Sequence, residues 1–373
     1  MAAFLLSGIC AISSGIIVSI LRDLYHFSFS ISGSLISVMS IGNMCALLAA
    51  GVLPGFIGEK ATTMLFCIGY FLGYLIMALT GNPIALFLAF LIVGMAKGCT
   101  ANKCTVLVGN NTDDRPKALN LMNAGYALGA LACPFLIAFL LEKNTRLPMI
   151  GVSLSGLILW FVFLYAQMPG RGLSADQGKS RTNYAFLKSS TFWLLALLLF
   201  CQNAAEYTVN GWVVTYYKSE QILSGAAAAY TVTVQWTLTL IARLLLSFVV
   251  KIRKPYKMLA AMGVGMTVMY AVLLRMNSAV PALIALGLLS FALAGVYPLA
   301  VAGVGEMMSS ASVGIVLAIG GIGGILFPGL VGIIADAAGL RAGMAVNLIP
   351  CSGVIVIPLI IHFMEKKKES QAA

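Results

Sequence analysis

The sequence predicts an all-α polytopic membrane protein, with twelve transmembrane helices arranged as two pseudo-symmetric six-helix bundles. Of its 373 residues, 60% are hydrophobic and only 9% are charged, whereas about a quarter of the residues in a soluble domain are charged. Apolar runs close to the roughly 20 residues that a helix needs to cross hydrocarbon recur along the whole chain. A repeat between the two halves of the chain is the third observation that predicts this fold.

The twelve predicted spans follow from the apolar runs and from the glycine, proline and charge clusters between them. The spans are 3–21, 31–54, 62–80, 83–109, 118–141, 148–168, 187–217, 223–250, 256–275, 281–305, 311–335 and 343–363. The first run lacks a basic flank and a cleavage site, so we interpret it as a helix and not as a signal peptide. The longest polar stretch separates an N-terminal six-helix bundle (1–168) from a C-terminal bundle with a short basic tail (187–373). We interpret that stretch, 169–186, as a cytoplasmic linker.

The two predicted bundles repeat each other. The fifth span contains GALACP, from Gly129 to Pro134, and the eleventh contains GGILFP, from Gly323 to Pro328, which is a shift of 194 residues. The same shift carries Lys60, after the second span, onto Lys254, after the eighth. Parallel six-helix repeats are typical of transporters whose solute site lies near the bilayer midplane between the repeats.

Basic residues predict the orientation of the chain. Three of the 23 lie within spans, namely Lys97, Lys103 and Arg243. Six lie in segments predicted to be outside, namely Arg22, Lys143, Arg146, Lys218, Arg275 and Arg341. The other fourteen lie in segments predicted to be inside, so the positive-inside rule places both termini in the cytoplasm of a multi-pass cell-membrane protein. This bias accounts for the net charge of +11 without a nucleic-acid partner, and the short loops predict a monomer.

The loop after the second span carries a resemblance to a known family. It reads GFIGEK, and its Gly55, Glu59 and Lys60 resemble the loop between helices 2 and 3 of the major facilitator superfamily. The later glycine and basic pair of that motif are replaced here by Thr62, Thr63 and Met64. The resemblance implies a gating role for Gly55, Glu59 and Lys60, and it implies the two-bundle fold of that superfamily.

Two further stretches resemble one branch of the superfamily, the fucose/glucose-type sugar:proton symporters. They are KALNLMNAGYALGALACPFL, from Lys117 to Leu136, and AAEYTVNGWVVTYY, from Ala204 to Tyr217. This resemblance implies uptake of a sugar or a similar small polar solute, driven by an ion gradient. The fucose type carries proton-handling acidic residues in helices 1 and 4, whereas the corresponding spans here have no acidic residue in the core of helix 1 and lysines in helix 4.

Glu206 is the one acidic residue, of the twelve in the chain, that lies deep within a predicted span. Gln202, Glu206 and Asn210 recur every four residues, so they form one polar strip along the seventh span. A charge at the bilayer centre costs about 3 kcal/mol on insertion scales and requires an internal partner or a water-filled cavity. The strip predicts a cavity wall in which Glu206 takes up a coupling proton or bonds the solute. A structural ion pair between helices is the alternative.

The lysines of the fourth span support a second interpretation. Lys97 lies near mid-membrane, and Lys103 lies six residues further on, about 120° around the helix. We expect at least one of them to face the cavity, where it could pair with Glu206 across the bundle interface. Two lysines against one carboxylate would make the cavity positive and would attract an organic anion or a sugar acid. The sequence therefore leaves both a sugar-like solute and an anion open.

Other residues within the spans complete the candidate site. Trp212 and Tyr297 could stack on a sugar ring, and Asn102 and Asn123 could bond solute or join helices. Arg243 is interpreted as a brace between helices or a partner of the loop motif. The full set of candidates for solute binding is Lys97, Asn102, Lys103, Asn123, Gln202, Asn210, Trp212, Gln235 and Tyr297.

These features predict a secondary active transporter that moves a small polar solute by alternating access, with Glu206 as the proton-coupling residue. The alternatives are an organic-anion carrier that uses the lysines, and an uncoupled facilitator. No HExxH or GxSxG motif is present, which argues against an enzyme. The eight cysteines show no paired spacing, so we expect free thiols, no metal site and no cofactor beyond a proton or sodium gradient.

Overall fold

A computed structural model describes residues 2–27, 29–166, 184–223 and 225–372, and the described residues form helices and no strand. The long helices of the first half begin and end as follows: α1 Ala2–Tyr25, α2 Phe29–Val52, α3 Glu59–Leu79, α4 Pro83–Asn110, α5 Arg115–Leu141 and α6 Leu147–Tyr165. A one-turn helix, Pro54–Ile57, lies between α2 and α3. Most of the predicted linker 169–186 lies outside the described residues, and its last residues belong to a 3₁₀ helix, Tyr184–Lys188.

The second half contains six more long helices in the described part of the chain. They are α7 Ser190–Ser219, α8 Gly225–Phe248, α9 Pro255–Leu273, α10 Ala279–Leu293, α11 Ser310–Ala338 and α12 Leu348–Ala372. Two short helices extend this set: Val296–Ala302 follows α10, and Leu340–Ala345 precedes α12. Ten of the described segments are long and apolar enough to cross a membrane, and two shorter apolar helices, Ala2–Val18 and Thr233–Phe248, complete the twelve. The predicted all-α polytopic fold is therefore confirmed.

The boundaries differ from the predicted spans where a helix breaks inside an apolar run. The tenth span is interrupted between Leu293 and Val296, and the twelfth begins as a separate short helix after Gly339. Gly339 has a φ of 87°, which favours glycine. Periodicity of apolar residues cannot locate such a break, because both sides of it are equally apolar.

The chain divides into two compact units. Unit 1 contains Met1–Asn111, Gly125–Tyr184 and the eight-residue segment Met308–Ile315. Within it, α2 packs against α4, α4 against α3, α3 against α6, and α6 against α1. The first turns of α11 are thus part of a unit that otherwise comes from the first half of the sequence.

Unit 2 contains Thr112–Ala124, Ala185–Met307 and Val316–Ala373. Within it, α8 packs against α10, α10 against α9, α9 against α12, and α12 against α7. This order is the order of unit 1 with every helix number raised by six. The packing therefore repeats in parallel, as the shift of 194 residues predicts.

The helix starts have local causes. At the start of α4, the side chain of Asn82 accepts a hydrogen bond from the backbone N–H of Ile84 at 2.9 Å, and Pro83 occupies the first helical position. Proline suits that position because its missing N–H would have no partner within the helix. At the start of α7, Ser189 accepts from the N–H of Phe192 at 3.4 Å. These caps orient the two helices, α4 and α7, that carry most of the candidate residues.

Small residues let α2 and α4 approach closely in unit 1. A Cβ atom placed on Gly98 would collide with the Asn43 carbonyl oxygen and lie 3.3 Å from the Ala46 Cβ. In unit 2, Gly323 of α11 lies equally close to the Phe200 carbonyl of α7. Close backbone approach at small residues is the main source of helix association in a bilayer, where the hydrophobic effect between helices is absent.

We expect Gly98→Leu to lower the apparent melting temperature of the detergent-solubilised protein by about 5 °C, because overpacking costs about 2 kcal/mol. The matched control is Gly15→Leu in α1, where a Cβ would meet no atom within 4 Å. Thermal unfolding followed by tryptophan fluorescence measures both variants. Equal melting temperatures for the two variants would contradict the close approach of α2 and α4.

Candidate functional site

The polar strip predicted on the seventh span lies on one continuous helix, α7. Gln202 is fully buried, Glu206 is half-buried and Asn210 is exposed, so the strip runs from the interior of unit 2 to its surface. Gln202 Nε2 donates a hydrogen bond to Glu206 Oε2 at 2.5 Å. Among the described residues, no basic side chain forms an ion pair with Glu206. The interaction of Glu206 with its surroundings is thus a hydrogen bond to an amide and not a salt bridge.

The strip continues onto α8 through a second amide pair. Gln235 Nε2 donates to Asn210 Oδ1, and the Gln235 side chain is only 6% exposed. Gln235 therefore extends the polar strip of α7 onto α8, and its role in solute binding stays a prediction. Together the two pairs supply a carboxylate and amide groups, which both accept and donate hydrogen bonds.

Two buried oxygens on α7 have no partner in the described part of the chain. They are Gln202 Oε1 and Thr208 Oγ1. Leaving a buried polar group unsatisfied costs about 1–3 kcal/mol. Two such oxygens on one helix are unusual, since buried polar groups in native proteins almost always have hydrogen-bond partners.

The part of α7 that follows the strip is held by aromatic residues. The indole N–H of Trp212 donates to the Pro328 carbonyl of α11 at 3.0 Å, and its ring lies against Gly332. The hydroxyls of Tyr216 and Tyr217 donate to the carbonyls of Leu274 at 3.0 Å and Ala282 at 2.8 Å. The conspicuous aromatic residues of α7 therefore brace this helix against its neighbours in unit 2.

Lys103 is placed differently from the prediction that it faces solute or pairs with Glu206. Its ammonium forms an ion pair with Glu59 and donates to the Ala50 carbonyl at 3.0 Å and to Ser310 Oγ at 3.0 Å. The side chain is 3% exposed. Its role in solute binding stays a prediction, and in this structure its contacts are with the loop motif and the start of α11.

A proline explains why Lys103 reaches the backbone of α2. The Ala50 carbonyl would normally bond to the N–H of residue 54 in a helix, but residue 54 is proline and has no N–H. The freed carbonyl lies at the C-terminal end of α2, where the helix dipole also favours a cation. Lys103 satisfies both the carbonyl and the carboxylate of Glu59, the first residue of α3.

Ser310, the first residue of α11, completes this cluster within unit 1. Its hydroxyl donates to Glu59 Oε1 at 3.1 Å, and its carbonyl accepts from Asn102 Nδ2 at 2.9 Å. Asn102 is fully buried and belongs to the same group of bonds, and its role in solute binding stays a prediction. We name Glu59, Asn102, Lys103 and Ser310 the α3–α4–α11 cluster. Gly55 and Lys60, the other residues of the loop motif, are exposed beside it.

Sequence reasoning does not identify Ser310 as a site residue, although the sequence does indicate where its helix, α11, begins. Ser309 and Ser312 cap α11 reciprocally, since each backbone N–H donates to the hydroxyl of the other, at 2.8 and 3.1 Å. A serine pair at this spacing is a recognisable sign of a helix N-terminus. That sign marks where α11 begins, but it does not indicate which residues of other helices the segment contacts.

Arg243 forms the corresponding anchor in unit 2. It is 5% exposed, and its guanidinium donates to the carbonyls of Ala294 at 3.2 Å and Asn123 at 3.0 Å. The Ala294 carbonyl is again four residues before a proline, Pro298, so it lacks its usual helical partner. These bonds match the interpretation of Arg243 as a brace. The amide of Asn123 donates to its own helix, at Leu119, and its backbone contributes to the brace.

Lys97 and Tyr297 are the remaining predicted residues. Lys97 lies in α4 and is half-buried, and Tyr297 lies half-buried in the short helix Val296–Ala302. Both stay predictions for solute binding. The described residues contain no group of three or more His, Cys, Asp or Glu side chains that could hold a metal ion.

Comparison with known proteins identifies the family. The sequence model of the Major Facilitator Superfamily matches residues 1–312. No curated protein matches the sequence significantly. Because the family match covers most of the chain, it extends over both predicted bundles.

Three solved structures show the same fold. A variant of the E. coli fucose:proton symporter FucP has a TM-score of 0.76 and 17% identity, covering 96% of this chain and 98% of its own. The proton:xylose symporter XylE, solved with 6-bromo-6-deoxy-D-glucose, has a TM-score of 0.75 and 14% identity, covering 96% and 93%. The human organic anion transporter MFSD10 (TETRAN) has a TM-score of 0.77 and 15% identity, covering 96% and 97%. With these folds and the family match, the chain belongs to the Major Facilitator Superfamily and is a membrane transporter, not an enzyme.

Proposed function

We propose that this protein is a secondary active transporter that moves a small, sugar-like solute by alternating access, coupled to proton symport at Glu206. The observation that carries the proposal is the carboxylate of Glu206, half-buried on a bilayer-spanning helix and bonded to an amide instead of a cation. The driving force is an ion gradient, with no bound cofactor.

The physical basis of the coupling is the cost of a charge in the bilayer. An ionised side chain at the centre of the membrane costs about 3 kcal/mol on insertion scales, and a proton removes that charge. A solute that bonds Glu206 or the neighbouring amides changes the relative free energies of the protonated and ionised forms. By linkage, proton binding then changes the affinity for the solute by the same factor.

A neutral polyhydroxyl solute fits the chemistry of the strip. Glu206, Asn210 and Gln235 present carboxylate and amide groups, which suit hydroxyls that donate and accept together. FucP and XylE, which share the fold, are sugar:proton symporters. These two lines support a sugar-like solute for this chain.

An organic anion is the second candidate, favoured by Lys97 of α4 and by the shared fold of the human organic anion transporter. The case is weaker than the sequence alone suggests, because Glu59 neutralises Lys103. The anion carrier then depends on Lys97, the other lysine of α4. An uncoupled facilitator is the third candidate, and it differs from the symporter in that Glu206 need not titrate.

We propose that the α3–α4–α11 cluster acts as a latch of the transport cycle. Lys103, Glu59 and Ser310 join α4, the start of α3 and the start of α11 through one ion pair and several hydrogen bonds. Any motion of the start of α11 relative to α3 and α4 requires these bonds to break. The cluster therefore stabilises one state of the cycle, in line with the gating role implied by the loop motif.

We propose that the protein resides in the cell membrane as a monomer, with both termini in the cytoplasm. The excess of basic residues in the segments predicted to be inside supports this orientation. In that orientation the α3–α4–α11 cluster lies toward the cytoplasmic face.

We expect Glu206→Gln to abolish proton-driven accumulation in proteoliposomes while leaving exchange of solute at equal concentrations. The amide keeps the shape and the hydrogen bonds but cannot take up a proton. Uptake is measured with a panel of labelled sugars and carboxylates, with and without an inward proton gradient. The matched control is Glu142→Gln, which removes an exposed carboxylate at the end of α5.

Each outcome of this assay separates the candidate functions. Sugar accumulation that requires the gradient and fails in Glu206→Gln supports the symporter. Accumulation of a carboxylate that is lost in Lys97→Met supports the anion carrier. Gradient-driven accumulation that survives Glu206→Gln would contradict Glu206 as the coupling residue.

We expect Lys103→Met and Glu59→Gln each to reduce the transport rate at least tenfold, and the double variant to recover part of that loss. Removing one partner leaves the other charge buried without compensation, whereas removing both leaves none. Initial uptake rates of the single and double variants form a double-mutant cycle. Lys257→Met, at an exposed lysine of α9, is the control for loss of charge alone. Fully additive losses would show that Lys103 and Glu59 do not act as a unit.

A further inference from the structure

We propose that Gln202 is the positioning residue for the coupling proton. Its buried amide bonds Glu206 in both protonation states, because rotation of the amide group exchanges the places of Nε2 and Oε1. The inference rests on the proposed proton coupling at Glu206. It assigns to Gln202 a role other than the solute binding that the sequence predicts.

The geometry of the pair carries this inference. Gln202 is one helical turn before Glu206 on α7, and its Nε2 lies 2.5 Å from Glu206 Oε2. The Gln202 side chain is 0% exposed in this structure. Its Oε1 is buried and has no hydrogen-bond partner among the described residues. One end of the amide is therefore engaged, and the other end is unused.

The unused oxygen has a function when Glu206 is protonated. An ionised carboxylate only accepts hydrogen bonds, and it takes one from Gln202 Nε2. A protonated carboxyl group has an O–H that must donate, and Gln202 Oε1 becomes its acceptor after the amide turns by about 180° about its terminal torsion, which is a soft, two-fold torsion. The proton comes from water and forms an O–H bond on Glu206, and the same bond breaks when the proton returns to water. No other covalent bond changes.

Among the described residues, the other ionisable side chains on the elements around α7 form no ion pair or hydrogen bond with Glu206. Arg243 of α8 bonds the Ala294 and Asn123 carbonyls, and Arg341 of the short helix Leu340–Ala345 pairs with Glu220 at 2.7 Å. The remaining described ionisable residues on these elements and on α7 itself are Cys201, Tyr207, Tyr216, Tyr217, Lys218, Tyr297, Asp336, Cys351, His362, Glu365, Lys366 and Lys367. None of the described basic side chains forms an ion pair with Glu206. Gln202 is therefore the described side chain that bonds the carboxylate directly.

The experiment is an infrared titration of the purified full-length protein in lipid. The carboxylic-acid C=O band is followed against pH, and the Glu206 component is the part that disappears in Glu206→Gln. We expect Gln202→Met, which keeps length and volume without hydrogen bonding, to lower the proton concentration at half-protonation of Glu206 about tenfold. Both forms lose a bond, but the bond to the charged carboxylate is the stronger of the two, so the ionised form loses more. Tyr207→Phe removes only the hydroxyl of an exposed neighbour on α7 and is the matched control.

A second variant covers the case in which Gln202→Met does not fold. Gln202→Glu keeps the polar side chain and places two carboxyl groups within bonding distance, so they share a proton. We expect its band to titrate in two steps in place of one. A purely structural glutamine would leave the Glu206 midpoint unchanged in Gln202→Met, and the carboxyl group added in Gln202→Glu would titrate independently of Glu206.

The outcomes distinguish failure of this inference from failure of the proposed function. A Glu206 band that titrates with the same midpoint in wild type and Gln202→Met, or in one step in Gln202→Glu, would overturn the role of Gln202 and leave proton coupling intact. If no band is lost in Glu206→Gln at any pH, Glu206 does not take up a proton, and the coupling and this inference both fail. A changed midpoint with an unchanged Tyr207→Phe control supports the positioning role.

Discussion

The structure depends on one constraint: in hydrocarbon, each polar group must find its partner within the protein. At two of the prolines that interrupt the helical hydrogen-bond pattern, a buried cation bonds the carbonyl that the proline leaves without its helical partner. Pro54 frees the Ala50 carbonyl, which Lys103 bonds, and Pro298 frees the Ala294 carbonyl, which Arg243 bonds. The position of each cation is thus explained by a backbone carbonyl that lacks its helical hydrogen-bond partner. Lys103 gains a carboxylate in addition, so the loop motif and the start of α11 are joined through it.

Glu206 differs from Lys103 and Arg243 in how it satisfies this constraint. Lys103 and Arg243 are almost fully buried and have several protein partners, as expected of groups that hold helices in place. Glu206 is half-buried and bonds a single amide that still has an unused oxygen. Glu206 therefore differs from Lys103 and Arg243 both in its exposure and in the number of its protein partners, and this difference is the basis of the proposed coupling role.

The fold was predictable from the sequence because span length and polar interruptions are local properties. The repeat of GALACP and GGILFP indicates the parallel packing order that the two units share. The strip on α7 was also predictable, since four-residue spacing on a helix determines which side chains share a face. The partner of Lys103 was not, because spacing along α4 does not reveal which neighbour lies opposite. Glu59 is 44 residues away along the chain and Ser310 is 207 residues away. The break before Val296 is likewise hidden within a uniformly apolar run.

The most direct test of the central claim is the proton movement that accompanies solute entry. Proteoliposomes containing a pH-sensitive dye are given the labelled solute selected by the uptake panel, with no proton gradient imposed. The account predicts that solute entry acidifies the lumen at a fixed ratio of protons to solute, and that Glu206→Gln removes the acidification. Solute entry at the wild-type rate without acidification would contradict proton symport through Glu206.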